Sequence, residues 1–509
     1  MHNQGIGSWL HRCRIRSAGR TALVTGGRSL TYEQLLERVD RLADALGRRG
    51  VRRGDRVAYL GENDTSFLET LFAAATLGAI FVPLNTRWAA PEIQYGLQDS
   101  GARTLVFAEA LAGTAVRGCA DTDVSDRIVV AAPSDGTTDA EDYEVLLASG
   151  RPEHRDEPVT LEDPALILYT SGTTGRPKGA VLTHGNLTWN AINTVIDYDV
   201  HDGEVALMIS PMFHVASLGM GVLPTILKGG TIILEAKFDP GRALDLIQRH
   251  AITYLSGVPT TYQMLAEHPD WDGADLSSLR KLTCGGSTVP LRILEAYEAR
   301  GLSFTQGYGM TETSPGATGL MPGRSRDKMG SVGLPMFFSD VRVAGVDGTP
   351  AAPGEVAEIQ ICGPNVIREY WNNPEATAES RTDDGWFRSG DLGYLDEEGF
   401  LFVSDRLKDM VISGGENIYP AEVEQVIAEL DGVGSVAVIG RPDPRWGEVP
   451  VAVVTVREGF TVTAEEVLGH LDGRLARYKI PKQVTFVEDM PRTASGKIRK
   501  TDLRKQYGT

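Results

Sequence analysis

Residues that could bind a phosphate group follow a short apolar run, Leu166–Tyr169. Glycines let the backbone turn so that successive N–H groups point at one anion, while hydroxyls and a lysine add donors and positive charge. The spacing is not that of a Walker A loop, because the single Gly-Lys pair, Gly496-Lys497, is followed by Ile498 rather than by Ser or Thr. We therefore predict a phosphate-binding loop, rather than a plain flexible surface loop, in Tyr169-Thr170-Ser171-Gly172-Thr173-Thr174-Gly175-Arg176-Pro177-Lys178-Gly179.

This loop resembles the phosphate loop of the adenylate-forming superfamily, which includes acyl-CoA synthetases, luciferases and peptide-synthetase adenylation domains. The resemblance extends over nearly the whole chain, because further signatures of the superfamily occur in the expected order. The likeness is strongest to bacterial fatty-acyl-CoA synthetases, above all in the segment Asp405–Pro420. The signatures are Tyr308–Thr313, Trp386–Gly393, Asp405–Pro420 and Thr493–Ile498.

The resemblance implies a site for ATP and AMP. Tyr308 would pack on adenine and Thr311 would bond the α-phosphate, while Glu312, with Thr170 reaching the same ion, would bind Mg²⁺. A carboxylate suits this hard cation, although Glu312 taken alone could be a solvated carboxylate at the start of a helix. The implied ATP and AMP ligands are Thr170, Ser171, Gly172, Thr173, Thr174, Gly175, Lys178, Gly285, Gly286, Tyr308, Gly309, Thr311, Asp391, Val403, Arg406 and Lys497.

Asp391 lies in a glycine-rich segment that we interpret as a turn. In the superfamily the matching aspartate accepts hydrogen bonds from both ribose hydroxyls, a grip that the lone pairs of a carboxylate allow. Arg406 resembles the second ribose contact, and Val403 occupies the place of an apolar residue beside adenine. Outside this context, Asp391 would be an ordinary turn-capping residue.

Activation of a carboxylate is the chemical problem that such a site solves. A carboxylate is a poor acyl donor, so its attack on the α-phosphorus of ATP first gives an acyl-adenylate and pyrophosphate, and a thiol then displaces AMP. Both transition states are dense in charge, so positioned cations and N–H donors should supply most of the acceleration. By resemblance Lys497 bridges the two anions, although a lysine near a C-terminus is usually only solvated. The implied catalytic residues are Lys497, His214, Thr311 and Glu312.

The resemblance also implies a mobile C-terminal domain. Lys408 matches the hinge about which this domain would rotate after adenylation. Lys497 would then leave, and a face with small residues would line the tunnel for the pantetheine arm of CoA. The implied CoA-binding residues are Ser413, Gly414 and Gly415.

The acyl pocket is implied at Phe213, His214, Gly286 and Gly309. His214 would lie beside the acyl carboxylate, although a lone histidine is more often structural. Lysine and arginine are absent from the segments expected to line the pocket, which disfavours a dicarboxylate needing a second charge partner. The segments are Phe213–Gly221, Gly285–Thr288 and Gly309–Gly316.

We therefore expect an ATP- and Mg²⁺-dependent acid–CoA ligase that acts on a fatty acid. A ligase for an aromatic acid is one alternative. A second alternative is an adenylating enzyme that passes its acyl-AMP to a carrier-protein thiol or another nucleophile. A third is a nucleotide-binding protein without catalysis, although the set of Lys178, Glu312, Asp391 and Lys497 argues against it.

Helix and strand patterns alternate along the first part of the chain, which favours parallel α/β layers. Tyr32–Leu46 has apolar residues at helical spacing, and Arg56–Leu60 and Leu166–Tyr169 are short strand candidates. After about residue 330, Asp-Gly, Pro-Gly and Glu-Gly turns separate the strands, as is typical of antiparallel hairpins. We expect an α/β protein with a large N-terminal domain of layered sheets plus a small β-barrel-like part, residues 1–406, and a small mobile α+β domain, residues 407–509.

Composition and net charge indicate which classes of binding partner to expect. The 509 residues have a formal net charge of −18, so the chain as a whole should repel nucleic acid. The longest apolar run, Leu71–Leu84, is shorter than the about 20 residues that cross a bilayer, and the start lacks a signal-type apolar stretch. We expect a cytoplasmic enzyme whose partners are a carboxylic acid and CoA, with peripheral membrane contact and a homodimer left open. The four cysteines have no metal-site or disulfide spacing.

Overall fold

The computed structural model describes residues 2–131, 139–170, 177–285, 289–345, 347–406, 409–413, 416–472, 474–475, 477–493 and 496–508. Several predicted site residues therefore lie outside the described residues. They are Ser171, Gly172, Thr173, Thr174, Gly175, Gly286, Lys408, Gly414 and Gly415.

The chain divides into two compact units. The first consists of Met1–Asp340 with Ile361–Phe387, and the second of Val341–Gln360 with Arg388–Thr509. The boundary predicted after residue 406 falls within the second unit, and a mobile domain from residue 407 onward stays a prediction. Among the described residues, no helix is both long enough and apolar enough to cross a membrane.

The first unit contains sixteen strands among its described residues. They are β1 Thr21–Thr25, β2 Arg28–Thr31, β3 Arg56–Leu60, β4 Ile80–Pro83, β5 Thr104–Ala108, β6 Asp126–Val130, β7 Glu141–Asp142, β8 Pro164–Thr170, β9 Lys178–Thr183, β10 Val205–Met208, β11 Thr231–Leu234, β12 Tyr254–Gly257, β13 Lys281–Gly285, β14 Phe304–Gly309, β15 Gly316–Leu320 and β16 Leu334–Pro335.

The helices of this unit lie between the strands. They are α1 Trp9–Ser17, α2 Tyr32–Arg48, α3 Thr65–Thr76, α4 Ala90–Ser100, α5 Ala112–Gly118, α6 Tyr143–Ser149, α7 His184–Asp197, α8 Leu223–Lys228, α9 Pro240–His250, α10 Pro259–Ala266, α11 Leu291–Glu298 and α12 Pro374–Glu379. A π-helix, Ser217–Val222, precedes α8.

Two sheets organise these strands. One has the order β7-β6-β5-β3-β4-β8-β9, and the other has the order β16-β15-β14-β13-β12-β10-β11-β1-β2. Their central neighbours are parallel, as in β3–β5 and β12–β13, whereas the β8–β9 and β14–β15 pairs at the ends of the parallel runs are antiparallel. The predicted layered α/β architecture is confirmed. Parallel strands are buried on both faces, as the uninterrupted burial of Ile80–Pro83 shows.

Helix α2 shows how the sequence specifies these layers. Its apolar residues recur at helical spacing, and Leu35, Val39 and Leu42 are at most 1% exposed. Thr31 caps the first turn by accepting from the Gln34 N–H, and the Gln34 side chain accepts in return from the Thr31 N–H. The predicted helix over 32–46 is thus found, two residues longer, at Tyr32–Arg48.

The remaining chain forms two smaller sheets. The strands are β17 Asp340–Ala344, β18 Ala357–Cys362, β19 Phe387–Leu395, β20 Leu401–Arg406, β21 Val411–Ser413, β22 Glu416–Ile418, β23 Val433–Asp443, β24 Gly447–Val456 and β25 Gln483–Phe486. β17 to β20 form a four-stranded sheet in chain order, and β21 to β25 form a five-stranded sheet. Three helices accompany the second sheet, namely α13 Pro420–Ala428, α14 Ala464–Leu471 and α15 Lys500–Tyr507.

A buried ion pair joins the starts of β10 and β13, two strands that lead to predicted site residues. Glu204, just before β10, is fully buried and contacts Lys281, the first residue of β13, whose side chain is 14% exposed. The Thr253 hydroxyl also donates to this carboxylate. Burial raises the pKa of Glu204, but the bonds from Lys281 and Thr253 outweigh burial and leave it below its usual value.

Replacing Lys281 with Met should leave the buried Glu204 carboxylate without its lysine, with His201, 3.2 Å away and charged only when protonated, as the remaining potential cation. We expect a loss of about 3 kcal/mol in the free energy of unfolding at neutral pH. Because the folded-state pKa of Glu204 is depressed, the pair stabilises above the unfolded-state pKa and this contribution disappears as pH falls. In urea titrations from pH 7 to pH 4, the difference in the free energy of unfolding between the wild type and Lys281→Met should become smaller. The exposed Lys228→Met is the control, and a difference independent of pH would contradict the assignment.

Candidate functional site

Predicted site residues of the first unit follow the ends of parallel strands. β10, β12, β13 and β14 are parallel neighbours, so their carboxyl ends share one edge of the sheet. His214 follows β10, Gly285 ends β13, and Gly309 ends β14, with Glu312 three residues beyond. The topology therefore gathers these residues at a single edge, the usual place for a ligand in such sheets.

Strands β8 and β9 flank the predicted phosphate loop and pair with each other. Thr170 and Lys178 face each other as the last residue of β8 and the first residue of β9. The Thr170 hydroxyl donates to the Lys178 carbonyl at 3.4 Å, and the Tyr169 hydroxyl donates to Asp99 at 2.8 Å. The strand ends thus fix the start and finish of the loop, while residues 171–176 lie outside the described residues.

Glu312 lies in a short 3₁₀ turn, Thr311–Thr313, directly after β14. The Tyr370 hydroxyl donates to the Glu312 Oε1 at 2.9 Å, and the Ile367 N–H donates to the Glu312 carbonyl at 2.8 Å. Burial, followed by the adjacent Glu312 charge, raises the pKa of Tyr370 well above its usual value. The phenol therefore stays protonated and acts as the donor in its hydrogen bond to Glu312.

Tyr370 is a site neighbour that the sequence analysis missed. The Lys178 Nζ lies 5.5 Å from the centre of its ring, within the range of a cation–π contact. Tyr370 thus contacts the side chains of both Lys178 and Glu312, which are remote in sequence. A single tyrosine outside any motif gives no signal in one sequence.

The surrounding backbone requires a glycine at position 309 but not at position 285. A Cβ atom on Gly309 would lie 1.7 Å from the Pro315 carbonyl oxygen, so the backbone itself excludes a side chain there. A Cβ atom on Gly285 would have the Gly307 oxygen as its nearest neighbour, at 3.5 Å. Packing therefore explains Gly309, whereas close approach of a ligand to Gly285 stays a prediction.

His214 ends a turn that a buried asparagine holds. Asn63 donates to the Ser210 carbonyl at 2.9 Å and accepts from the Met212 N–H at 2.8 Å. The His214 N–H donates to the Pro211 carbonyl at 3.2 Å, which closes the turn. The Phe213 and His214 rings lie 4.7 Å apart, and Phe213 is buried. Asn63 gave no sequence signal, because it precedes this turn by about 150 residues.

Buried asparagines on one face of α7 bind the irregular segments around this edge. Asn186 donates to the carbonyl of Val366 at 3.1 Å. Asn190 donates to the Gly219 carbonyl and accepts from the Gly316 N–H, both at 2.9 Å. Asn186 and Asn190 are at most 4% exposed. One helix therefore fixes the π-helix and the segment that follows Glu312.

The same polar network continues behind Glu312. Asn193, also fully buried, accepts from the Phe338 N–H at 2.8 Å. Asn365 donates to the carbonyls of Thr313 at 2.8 Å and Gly316 at 2.6 Å. Buried amides that make such paired bonds hold irregular backbone rigidly. Sequence reasoning missed these residues because asparagine reads as a loop former rather than as a buried helix residue.

In the second unit, Asp391 lies within strand β19 rather than in the turn that we predicted. It faces Arg406 across the β19–β20 pair and is 6% exposed. Gly390 has a φ of 69°, and the pairing register shifts between Leu392 and Gly393. The glycines of this segment therefore accommodate an irregularity within the strand. Val403 pairs with Gly393 on the same ladder, so Asp391, Val403 and the Arg406 backbone share one hairpin.

Lys497, also in the second unit, lies on an exposed turn. The Thr493 N–H donates to the Lys497 carbonyl at 2.7 Å, and the Lys497 N–H donates to the Thr493 hydroxyl at 3.1 Å. Gly496 has a φ of 84°, which glycine adopts without strain. Ser413 ends β21 in a different hairpin of this unit and pairs with Glu416.

The donor set of the first unit fits Mg²⁺ bound together with phosphate. Among the described residues, no group of three or more His, Cys, Asp or Glu side chains could hold a metal ion alone. Mg²⁺ is usually bound by one or two carboxylates, with phosphate oxygens and water completing its octahedron. Glu312 could supply the carboxylate, and Lys178 could supply a cation for phosphate oxygens.

Two family models match the chain. The family model for AMP-binding enzymes matches residues 11–371, and that for the AMP-binding enzyme C-terminal domain matches residues 422–497. Among solved structures, ATP-bound MatB from Rhodopseudomonas palustris has a TM-score of 0.87 at 32% identity and 99% coverage of both chains. The o-succinylbenzoate CoA synthetase MenE from Bacillus subtilis, in complex with its acyl-adenylate intermediate, has a TM-score of 0.87 at 33% identity and 98% coverage of both chains.

Three named relatives also match the chain over nearly its whole length. A feruloyl-CoA synthase from Amycolatopsis sp is 51% identical over 100% of both chains, and an indoleacetate–CoA ligase from Aromatoleum aromaticum is 44% identical over 98% and 97%. The long-chain-fatty-acid–CoA ligase FadD13 from Mycobacterium tuberculosis is 40% identical over 94% and 93%. The chain therefore belongs to the AMP-binding enzyme family and is an AMP-forming acid–CoA ligase that uses ATP, Mg²⁺ and CoA.

Proposed function

We propose that the acid substrate is an aromatic carboxylic acid with a short side chain, such as an arylpropenoate or an arylacetate. The observation that carries this proposal is the 51% identity to a feruloyl-CoA synthase over the full length of both chains. The identity of 44% to an indoleacetate–CoA ligase points the same way. The proposal replaces the fatty acid that we expected first, which the 40% identity to FadD13 keeps as the second candidate.

Packing of the predicted acyl wall supports a compact substrate. A Cβ atom on Gly219, in the π-helix, would lie 2.5 Å from the Ser314 carbonyl oxygen. One on Gly221 would lie 2.4 Å from the Met208 sulfur. The π-helix and the turn at Ser314 are therefore in direct contact at Gly219, which leaves no space for an alkyl chain between them at that point.

The roles proposed for the nucleotide-binding residues follow from their chemistry. Lys178 offers a cation to phosphate oxygens, Thr311 a hydroxyl to the α-phosphate, and Tyr308 a ring face to adenine. Glu312 and Thr170 would hold Mg²⁺, which neutralises phosphate charge when bound. Asp391 would accept from the ribose hydroxyls, with Val403 and Arg406 on the same hairpin. The described residues of this set are Thr170, Lys178, Gly285, Tyr308, Gly309, Thr311, Asp391, Val403, Arg406 and Lys497.

Lys497 and Lys408 have different proposed roles in the two half-reactions. The ammonium of Lys497 would offset the repulsion between the substrate carboxylate and the α-phosphate during adenylation. His214 and Phe213 would border the reacting carboxylate. Lys408 would act as the hinge, and Ser413, Gly414 and Gly415 would line the path of CoA in the second half-reaction.

A panel of acids tests the substrate class. Pyrophosphate release should be measured with ferulate, indoleacetate and dodecanoate, each with and without CoA. We expect kcat/KM for at least one aromatic acid to exceed that for dodecanoate about tenfold or more, which corresponds to about 1.4 kcal/mol in transition-state binding. A preference for dodecanoate over both aromatic acids would reject the proposal in favour of the fatty acid.

Lys497→Gln tests the adenylation role. Removing this cation should lower acyl-adenylate formation about 100-fold or more, the scale seen when one transition-state donor is lost. Thioester formation from acyl-adenylate supplied ready-made should change little, because the lysine is not needed there. Lys505→Gln, an exposed lysine in α15, is the control. An undiminished rate of adenylation in Lys497→Gln would remove this residue from the mechanism.

Lys408→Pro tests the hinge. Proline restricts φ at this position and should hinder the rotation between half-reactions. We expect thioester formation from supplied acyl-adenylate to fall more than acyl-adenylate formation does. Equal losses in both half-reactions would show that the hinge lies elsewhere.

A further inference from the structure

We propose that Tyr370 is a positioning residue that orients the Glu312 carboxylate for Mg²⁺ and locates the Lys178 ammonium for the phosphates. The inference rests on the roles proposed above for Glu312 and Lys178. It adds a side chain to which neither the sequence motifs nor the family resemblance assigned a role.

A hydrogen bond joins the Tyr370 side chain to Glu312. The Tyr370 hydroxyl donates to Oε1 at 2.9 Å. A carboxylate has about four acceptor sites on two oxygens, so this bond uses one site on one oxygen and fixes the plane of the group. A carboxylate held in one orientation binds a cation with less loss of rotamer freedom than a mobile one.

Tyr370 itself is anchored through its backbone. The Trp371 N–H donates to the Gly179 carbonyl at 2.7 Å, and the Val181 N–H donates to the Glu369 carbonyl at 3.2 Å. Residues 369–371 therefore extend the sheet beside β9, and the Tyr370 N–H donates to the Thr377 hydroxyl at 2.9 Å. The tyrosine lies on rigid backbone rather than on a free loop.

The Tyr370 ring also contacts Lys178, the first residue of β9. Its Nζ lies 5.5 Å from the Tyr370 ring centre. The ring face attracts the ammonium while the hydroxyl holds the carboxylate, so one side chain locates two groups of opposite charge. The Ile367 N–H fixes the other side of the arrangement by donating to the Glu312 carbonyl.

Tyr370→Phe removes the hydroxyl and keeps the ring. We expect the Mg²⁺ concentration for half-maximal pyrophosphate release to rise about tenfold, the scale of a lost hydrogen bond to a charged group. The rate at saturating Mg²⁺ should fall less than about threefold. Calorimetry of Mg²⁺-ATP binding, without acid or CoA, should show a matching loss of affinity, and this readout does not depend on turnover.

A matched control exists in the same unit. The Tyr143 hydroxyl donates to the Glu69 carboxylate at 2.8 Å, and Tyr143 is fully buried. Tyr143→Phe thus removes a tyrosine–carboxylate bond of the same kind away from the proposed site. We expect its Mg²⁺ dependence and its affinity for Mg²⁺-ATP to match those of the wild type.

Tyr370→Leu removes the ring as well and should weaken Mg²⁺-ATP binding further than Tyr370→Phe does. If this variant fails to fold, the Tyr370→Phe measurements still decide the question. A uniform loss of rate in Tyr370→Phe at unchanged Mg²⁺ half-saturation and unchanged affinity would reduce Tyr370 to a structural role and overturn the inference.

Glu312→Gln separates this inference from the assignment beneath it. If Glu312→Gln shifts the Mg²⁺ dependence and Tyr370→Phe does not, only the inference about Tyr370 fails. If Glu312→Gln leaves the Mg²⁺ dependence unchanged, the proposed role of Glu312 fails, and the positioning role falls with it.

Discussion

Buried backbone that belongs to no helix or strand has to find hydrogen-bond partners, and this requirement governs the edge of the sheet where the site residues gather. The segment that leaves β10 is irregular, and Asn63 satisfies it by bonding the Ser210 carbonyl and the Met212 N–H. Asn190 bonds the Gly219 carbonyl of the π-helix and the Gly316 N–H at the start of β15. Asn365 does the same for the Thr313 carbonyl. The functional groups can therefore project from loops and still be held as firmly as in regular structure.

Charge is the second constraint, because the chain carries a net charge of −18 and yet uses a triphosphate. The overall field does not assist binding, so the attraction has to be local and short in range. Lys178 at the start of β9, beside the Tyr370 ring, supplies cationic charge within the first unit. The proposed arrival of Lys497 adds a second cation only for the step that needs it, which avoids a permanent cluster of lysines.

The sequence predicted those parts of the fold that periodicity and turn residues encode. Helix α2 was found within two residues of its observed end, and the alternation of layers was right. The prediction of a turn at Asp391 was wrong, because a glycine with positive φ within a strand looks the same in sequence as a turn glycine. Asn190 and Tyr370 could not be predicted, since their importance comes from partners that only the tertiary fold brings near.

The sequence indicates the reaction class more firmly than the identity of the acid, for a physical reason. The motifs that carried the resemblance, such as Tyr308–Thr313 and Asp405–Pro420, surround the proposed nucleotide and hinge positions, which every member of the family needs. The acid is expected to meet the π-helix Ser217–Val222 and the turn at Ser314, where side-chain volume and backbone packing decide what fits. One missing or added methylene changes binding by only about 1–3 kcal/mol. Substrate choice within this family can therefore change with a few packing differences that no motif records.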